Sequence, residues 1–306
     1  MRRAAVIAIG SNSTRMLAAN LDDRLTARVR GREETGLFLR LDGRMAMGGD
    51  ALDAVRKAVL SLQRQALAAG AGETHLIATS AVRDAGDAGA LRDALEQDTG
   101  LVMRVVSGEE EALYSFLGAA CAFPEGTRLG VADIGGGSTE IAAGTPAGPE
   151  YLHSAQMGAA RLFRARPIHT PADVRGAVSE AGRALESLPA LPQPPPREWV
   201  LVGGTGAALI GLLRGALMDA DAEGDEPFAR GDALRVMRLL AGLDRERRAA
   251  LPGMTRGRED ILPTGLAVLA ALMKRLGIRH MAVTARNNTD GFLYALHRAR
   301  RGSAYH

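Results

Sequence analysis

Residues 133–140 read Asp-Ile-Gly-Gly-Gly-Ser-Thr-Glu, an acid, three consecutive glycines, two hydroxyls and a second acid. Those types in that order suit a phosphate cradle beside a cation. Gly135, Gly136 and Gly137 let backbone N–H groups approach phosphate oxygens closely, and Ser138 and Thr139 add hydroxyl donors. Asp133 can bind a divalent ion directly or through water. Seven positions separate Asp133 from Glu140; if the chain turns between them and returns as an antiparallel strand, both carboxylates can flank one ion. A plain hairpin would not need three glycines, each of which costs backbone entropy on folding.

The same octet occurs near the start of the chain. Residues 8–15 read Ala-Ile-Gly-Ser-Asn-Ser-Thr-Arg and agree with 133–140 at Ile, Gly, Ser and Thr. Gly10, Ser11, Asn12 and Ser13 form the expected facing cradle, with Arg15 as a guanidinium fork for phosphate. Ala8 stands where the second copy carries Asp133. A repeat separated by most of a domain's length implies a duplicated domain, and two related halves enclose a cleft in which ligands bind.

Three further stretches carry candidate chemistry. Residues 78–84, "ATSAVRD", follow an apolar run and set Thr79, Ser80 and Arg83 at a strand end facing the cleft. Residues 105–118, "VVSGEEEALYSFLG", read as a strand, a turn at Ser107–Gly108 and a helix with Glu109, Glu110 and Glu111 in its first turn. Acids there can serve as caps or as catalytic groups. Residues 201–209, "LVGGTGAAL", form a glycine-rich turn onto a helix that can receive a phosphate or nucleotide at Gly203, Gly204 and Thr205.

Strands at 4–9, 129–134 and 199–202 each end in such a turn. Helical patterns run over 50–69, 87–97, 109–121, 171–187, 205–217, 231–241 and 264–276. That alternation predicts an α/β architecture. Residues 189–196 hold five prolines in eight positions and predict a surface connection. Residues 219–230 predict an acidic exposed loop.

A chain of 306 residues predicts two domains, and 46% hydrophobic with 24% charged residues predicts a folded one. No apolar run reaches the ~20 residues of a membrane span, and the apolar N-terminal stretch reads as the first strand. Single Cys121 and the absence of zinc-ligand spacing predict a cytoplasmic setting, with Cys121 in the core. The six histidines, including His306, show no metal-ligand spacing. Only Lys57 and Lys274 are lysines among 38 basic residues. The net charge of +3 and 4% aromatic content argue against nucleic acid as partner.

In order, "GSNSTR", "ATSAVRD", "SGEEEA", "DIGGGSTE", "MGAARL" and "GGTGAAL" resemble the Ppx/GppA phosphatases, which include exopolyphosphatases and guanosine pentaphosphate phosphohydrolases. The resemblance covers residues 4–217. It fades beyond, where "TARNNTDGFL" (284–293) departs from the family's Ser-x-x-Gly-Leu-Arg-Glu-Gly stretch. It implies duplicated actin-like domains, of the sugar-kinase and heat-shock ATPase superfold, around a central cleft. The first domain would be 1–117, the second 118–290, and a last helix, 291–306, would return to the first. It further implies Glu111 and Glu140 as catalytic acids, Glu111 deprotonating the attacking water. Asp133 and Glu140 would hold Mg2+, with Mn2+ an alternative, and Arg15, Arg83 and the two loops would grip phosphates. A homodimer is implied as well. The family has an acid where Ala8 stands, so the first loop lacks one expected ligand. The implied activity is release of terminal phosphate from polyphosphate. Hydrolysis of pppGpp, a phosphate-binding sensor without turnover, and a superfold-related kinase are the competing readings.

Overall fold

The computed structural model describes residues 2–219 and 227–302. Its first sheet opens with an antiparallel meander of β1 (Arg3–Ile9), β2 (Ser13–Asn20) and β3 (Val29–Glu34). Helices α1 (Leu37–Arg40) and α2 (Gly48–Ala68) lead to β4 (Glu73–Ala78), which lies parallel to β1. After α3 (Ser80–Asp84) and α4 (Ala88–Thr99), the short β5 (Met103–Val105) completes the order β3-β2-β1-β4-β5.

The second sheet repeats the plan. Its meander is β6 (Leu129–Ile134), β7 (Thr139–Thr145) and β8 (Gly148–Ala155). Helix α6 (Ala159–Ala165) corresponds to α1 and is followed by α7 (Asp173–Ala184). Strand β9 (Glu198–Val202) lies parallel to β6, as β4 does to β1. Then come α8 (Gly203–Arg214), β10 (Phe228–Ala229), α9 (Arg230–Ala241), α10 (Arg245–Ala249), α11 (Leu262–Arg275) and β11 (His280–Val283). The sheet order is β10-β11-β9-β6-β7-β8.

Helix α5 (Gly108–Ala120) links the sheets, and α12 (Asn288–Arg300) lies along it while touching β1 and β2. Small side chains make this crossing possible: a Cβ on Gly291 would stand 1.7 Å from the Tyr114 carbonyl oxygen.

Strand β1 is apolar throughout because both faces are covered. Ala5, Ile7 and Ile9 join the cluster under α2, whereas Ala4, Val6 and Ala8 join Tyr114, Phe292 and Leu293 of α5 and α12. Helix α2 buries Ala51, Val55, Ala58, Val59, Leu62 and Ala66, one stripe at helical spacing. In the second half α11 buries Leu262 through Met273 without a break. Trp199 is buried in that core and lies against Gly130.

Three expectations need adjustment. Within 219–230, Phe228–Ala229 pairs with β11 and Arg230 begins α9, so the loop is shorter; 220–226 lie outside the described residues. The last helix is described to Arg300, and 303–306 with His306 lie outside as well. Cys121 is half-buried at the C-cap of α5 rather than in the core, and the Arg286 Nη1 donates to its sulfur at 3.1 Å. Among the described residues no helix is long and apolar enough to cross a membrane.

Candidate active site

The repeated octets form equivalent hairpin turns. The Gly10 N–H donates to the Ser13 carbonyl at 3.1 Å, and the Gly135 N–H donates to the Ser138 carbonyl at 3.0 Å. Each turn is supported by the helix after its meander: Phe38 N–H donates to Ser11 O, and Ala160 N–H to Gly136 O, both at 2.8 Å. The turns then meet face to face. A Cβ on Gly136 would lie 2.7 Å from the Ser11 Cβ, and one on Gly137 2.4 Å from the Ser80 Oγ. Only glycine allows that approach.

Between the turns lies a cavity of about 50 Å³. Gly10, Ser11, Asn12, Ser13 and Arg15 line it from the first half, and Asp133, Gly135, Gly136, Ser138 and Gly204 from the second. Glu111 enters from α5 and Thr79 from the end of β4. The three acids of α5 divide the work: Glu110 closes a capping box with Ser107, and Glu111, one position on, turns inward and is buried.

Asp133 and Glu140 face each other across the β6–β7 ladder, so the chain does return as an antiparallel strand. Ser115 donates to the Asp133 Oδ2 at 2.9 Å, and Ser154 to the Glu140 Oε1 at 2.8 Å. The Glu140 Oε2 is buried without a partner. Burial raises the pKa of all three acids. Asp133 pushes Glu111 further up, and Glu111 and Asp133 do the same to Glu140. For Glu111 the value reaches about 7, with Arg83 opposing the rise. Both terminal nitrogens of Arg83 stand 3.4 Å from its Oε2.

Guanidiniums make up the other wall. Arg15 on β2 and Arg258, just ahead of α11, also line the cavity. Burial and the nearby Arg32 lower both, and Arg15 adds to the effect on Arg258, which falls to about 9. The Arg258 Nε is buried and makes no hydrogen bond. Asp133 and Glu34 offset this effect only in part, and a cavity holding two such desolvated guanidiniums can receive an anion.

Several expected contacts fall behind the wall. The Thr139 hydroxyl is fully buried and donates to the Met157 carbonyl; the Thr205 hydroxyl donates to the Ile134 carbonyl at 2.9 Å. Both hydroxyls shape the turns and do not face the cavity. Gly137 packs against Ser11 and Ser80, and Gly203 backs onto Asp133. Arg83 donates to the Val106 carbonyl at 2.8 Å and reaches the site through Glu111.

Sequence reasoning missed two residues, Arg258 and Asn288, both of which line the cavity. Each lies beyond residue 217, where the motifs fade. Nothing local to "TRGRED" separates Arg258 from its many neighbouring arginines.

A chamber of about 330 Å³ adjoins the cavity and shares Arg15 and Gly204 with it. Arg30 and Arg32 line one side, and Met16, Ala207, Leu217 and Met218 are apolar.

Among the described residues no three His, Cys, Asp or Glu side chains converge as a metal centre. Magnesium asks for less, one or two carboxylates with the remaining positions filled by water and phosphate. The cross-strand pair Asp133 and Glu140, with its orphaned Oε2, offers that donor set.

Two α/β halves built on one repeated plan and joined at paired glycine–hydroxyl turns, with acids and arginines lining the cavity between them, define a protein suited to handling phosphate. Residues 37–299 match the model of the Ppx/GppA phosphatase family, and the chain belongs to that family. It is 31% identical to "Exopolyphosphatase 2" of Mycobacterium tuberculosis, over 97% of this chain and 99% of that protein. It is 27% identical to a Vibrio cholerae "Guanosine-5'-triphosphate,3'-diphosphate pyrophosphatase", over 95% of this chain and 59% of that protein. Among solved structures, an exopolyphosphatase-like protein superposes with a TM-score of 0.86 at 23% identity, covering 98% of this chain and 99% of its own. An exopolyphosphatase from Cytophaga hutchinsonii gives 0.86 at 21% identity, covering 97% and 98%. These two show the shared fold.

Proposed function

We propose that the protein is an exopolyphosphatase, a hydrolase that releases orthophosphate from the end of an inorganic polyphosphate chain. The observation that carries this reading is the small cavity between the opposed turns, walled by buried carboxylates on one side and by Arg15 and Arg258 on the other. Its volume suits a single phosphoryl group, which fits attack at a chain end. The similarity to a protein named exopolyphosphatase along nearly the whole length supports the same reading.

In-line attack of water on a phosphoryl group needs positioning and charge neutralisation more than covalent chemistry. Glu111 is the general base. A carboxyl with a pKa near 7 is half ionised at neutral pH and still basic enough to take a proton from the attacking water. Arg83, tied to the Val106 carbonyl, holds the Glu111 carboxylate in orientation. The N–H groups and hydroxyls of the two turns, with Arg15 and Arg258, bind the equatorial oxygens of the phosphoryl group. Asp133 and Glu140 would hold magnesium, or manganese, which would supply charge neutralisation for the leaving phosphate.

A second reading rests on the adjoining chamber. At about 330 Å³, with an apolar wall beside Gly203 and Gly204, it has room for a nucleoside, so the terminal phosphate of a guanosine nucleotide such as pppGpp is the alternative substrate. The deciding experiment offers the purified protein long-chain polyphosphate and pppGpp separately with magnesium and measures orthophosphate. Release from polyphosphate that is lost in Glu111→Gln supports the exopolyphosphatase. Release from pppGpp alone supports the second reading, and tight binding without release from either overturns both in favour of a sensor.

A further inference from the structure

The two halves are alike in backbone at the turns but unlike in charge. Across β6–β7, Asp133 faces Glu140; at the equivalent ladder position across β1–β2, Ala8 faces Arg15. The first half therefore presents a methyl group to the cavity where the second presents a carboxylate. Ala8 is 4% exposed and packs with Tyr114, Phe292 and Leu293, so the first turns of α12 lie against this corner.

From that helix comes Asn288. Its neighbours are all engaged. The Asn287 Oδ1 accepts from the backbone N–H and the hydroxyl of Thr289, and the Asn287 Nδ2 donates to the Ala285 carbonyl. Asp290, fully buried, accepts from both terminal nitrogens of Arg30 at 3.0 and 2.8 Å. The helix start is thus held in place, while the half-buried Asn288 lines the cavity and its side chain makes no hydrogen bond among the described residues.

We propose that Asn288 contacts the terminal phosphoryl group, donating its side-chain N–H to a phosphoryl oxygen in the corner that Ala8 leaves open. The chemistry favours an amide there. Glu111 and Asp133 already bring two carboxylates to the cavity, and a third at position 8 would repel a polyanion wherever no cation is held beside it. A neutral amide supplies a directional donor without that charge. With Asp at position 8, the Asn288 amide would instead donate to the new carboxylate, and its contact with phosphate would be lost. Asn288 and Ala8 therefore act as a pair, and the substrate preference of this site depends on both.

The proposal rests on the cavity being the phosphate site, and the test separates the two. Imidodiphosphate, whose P–N–P link resists hydrolysis, is titrated calorimetrically with and without magnesium. The proteins are the wild type, Asn288→Ala, Ala8→Asp and the double variant. Loss of one hydrogen bond to a charged oxygen predicts about tenfold weaker binding in Asn288→Ala. In the Ala8→Asp background the same change should alter binding less than twofold, a coupling that a merely structural role would not produce. Asn288→Ser, which restores a donor, should recover part of the loss. Wild-type binding in Asn288→Ala, or equal losses in both backgrounds, overturns the role of Asn288 while leaving the phosphate site intact. No binding by the wild type in either condition overturns the phosphate site itself, and the role of Asn288 with it.

Discussion

Glu111 is where the chemistry of the site is most exposed to measurement. Replacing it with Gln removes the proposed base but keeps the shape, and general-base loss predicts a fall in kcat of ~10²–10⁴. Its pKa also makes a stability statement. The ordinary value of 4.5 rises to about 7 in the folded protein, so between those pH values the folded state holds a proton that the unfolded state has lost. Stability from this group is therefore greatest below pH 4.5 and falls as pH rises through 7, by about 3 kcal/mol. Urea melts in EDTA should show the difference between Glu111→Gln and wild type growing by about that amount from pH 4.5 to 8, the variant being the more stable at pH 8. A difference that does not change with pH would place Glu111 in an ordinary solvated setting. The role proposed for Arg258 is in binding instead: if polyphosphate is the substrate, Arg258→Met should raise its KM at least tenfold, because a desolvated charge-assisted contact is lost.

At the scale of elements, α5 and α12 control the site from behind. Helix α5 carries both Glu111 and Ser115, the partner of Asp133, so any shift of α5 moves the proposed base and the proposed metal-side acid together. The crossing with α12 sets that position through Gly291 and the Tyr114 carbonyl. Gly291→Ala forces a methyl group into main-chain atoms, with an expected cost of about 2–3 kcal/mol. A chemical-denaturation midpoint measures it, and kcat should fall although no cavity residue has changed. On the opposite side α6 performs a related task. Arg161 and Arg164 stand over the Phe38 ring, 4.9 and 5.8 Å from its centre, and Arg164 also donates to the Leu41 and Asp42 carbonyls. These contacts tie α6 of one half to α1 of the other and hold the two turns together.

For the whole molecule, the open question of substrate becomes one of where space lies between the halves. The chamber beyond Arg15 has apolar walls from Met16 on β2, Ala207 on α8 and Leu217 and Met218 just past α8, with Arg30 and Arg32 on β3. Ala207→Trp fills that space without touching the small cavity. If a nucleoside sits there, pppGpp hydrolysis should fall at least tenfold while release from a short polyphosphate such as tripolyphosphate changes little. Equal losses for both substrates would mean the phosphate chain itself runs through the chamber. Magnesium should also raise the melting temperature at pH 8, where the three neighbouring acids repel one another most. The gain should follow metal concentration by mass action and shrink in Glu140→Gln.

Much of this was legible in the amino-acid order. The repeated octet, the glycine-run turn and the position of seven of the eight long helices among the described residues follow from local rules: glycine where two chains must touch, apolar residues at helical spacing, Ser107 and Glu110 as a cap. Family membership came from the same ordered motifs. What local rules do not specify is which side of a turn a hydroxyl faces, so Thr139 and Thr205 read as ligands although their hydroxyls are bonded to the distant Met157 and Ile134 carbonyls. Arg258 and Asn288 were invisible for a different reason. They lie far along the chain from both turns, on segments that reach the cavity only because α11 and α12 pack as they do. A side chain's type is written in the sequence, but whether it is buried, paired or free to meet a ligand is decided by neighbours that the fold alone brings together.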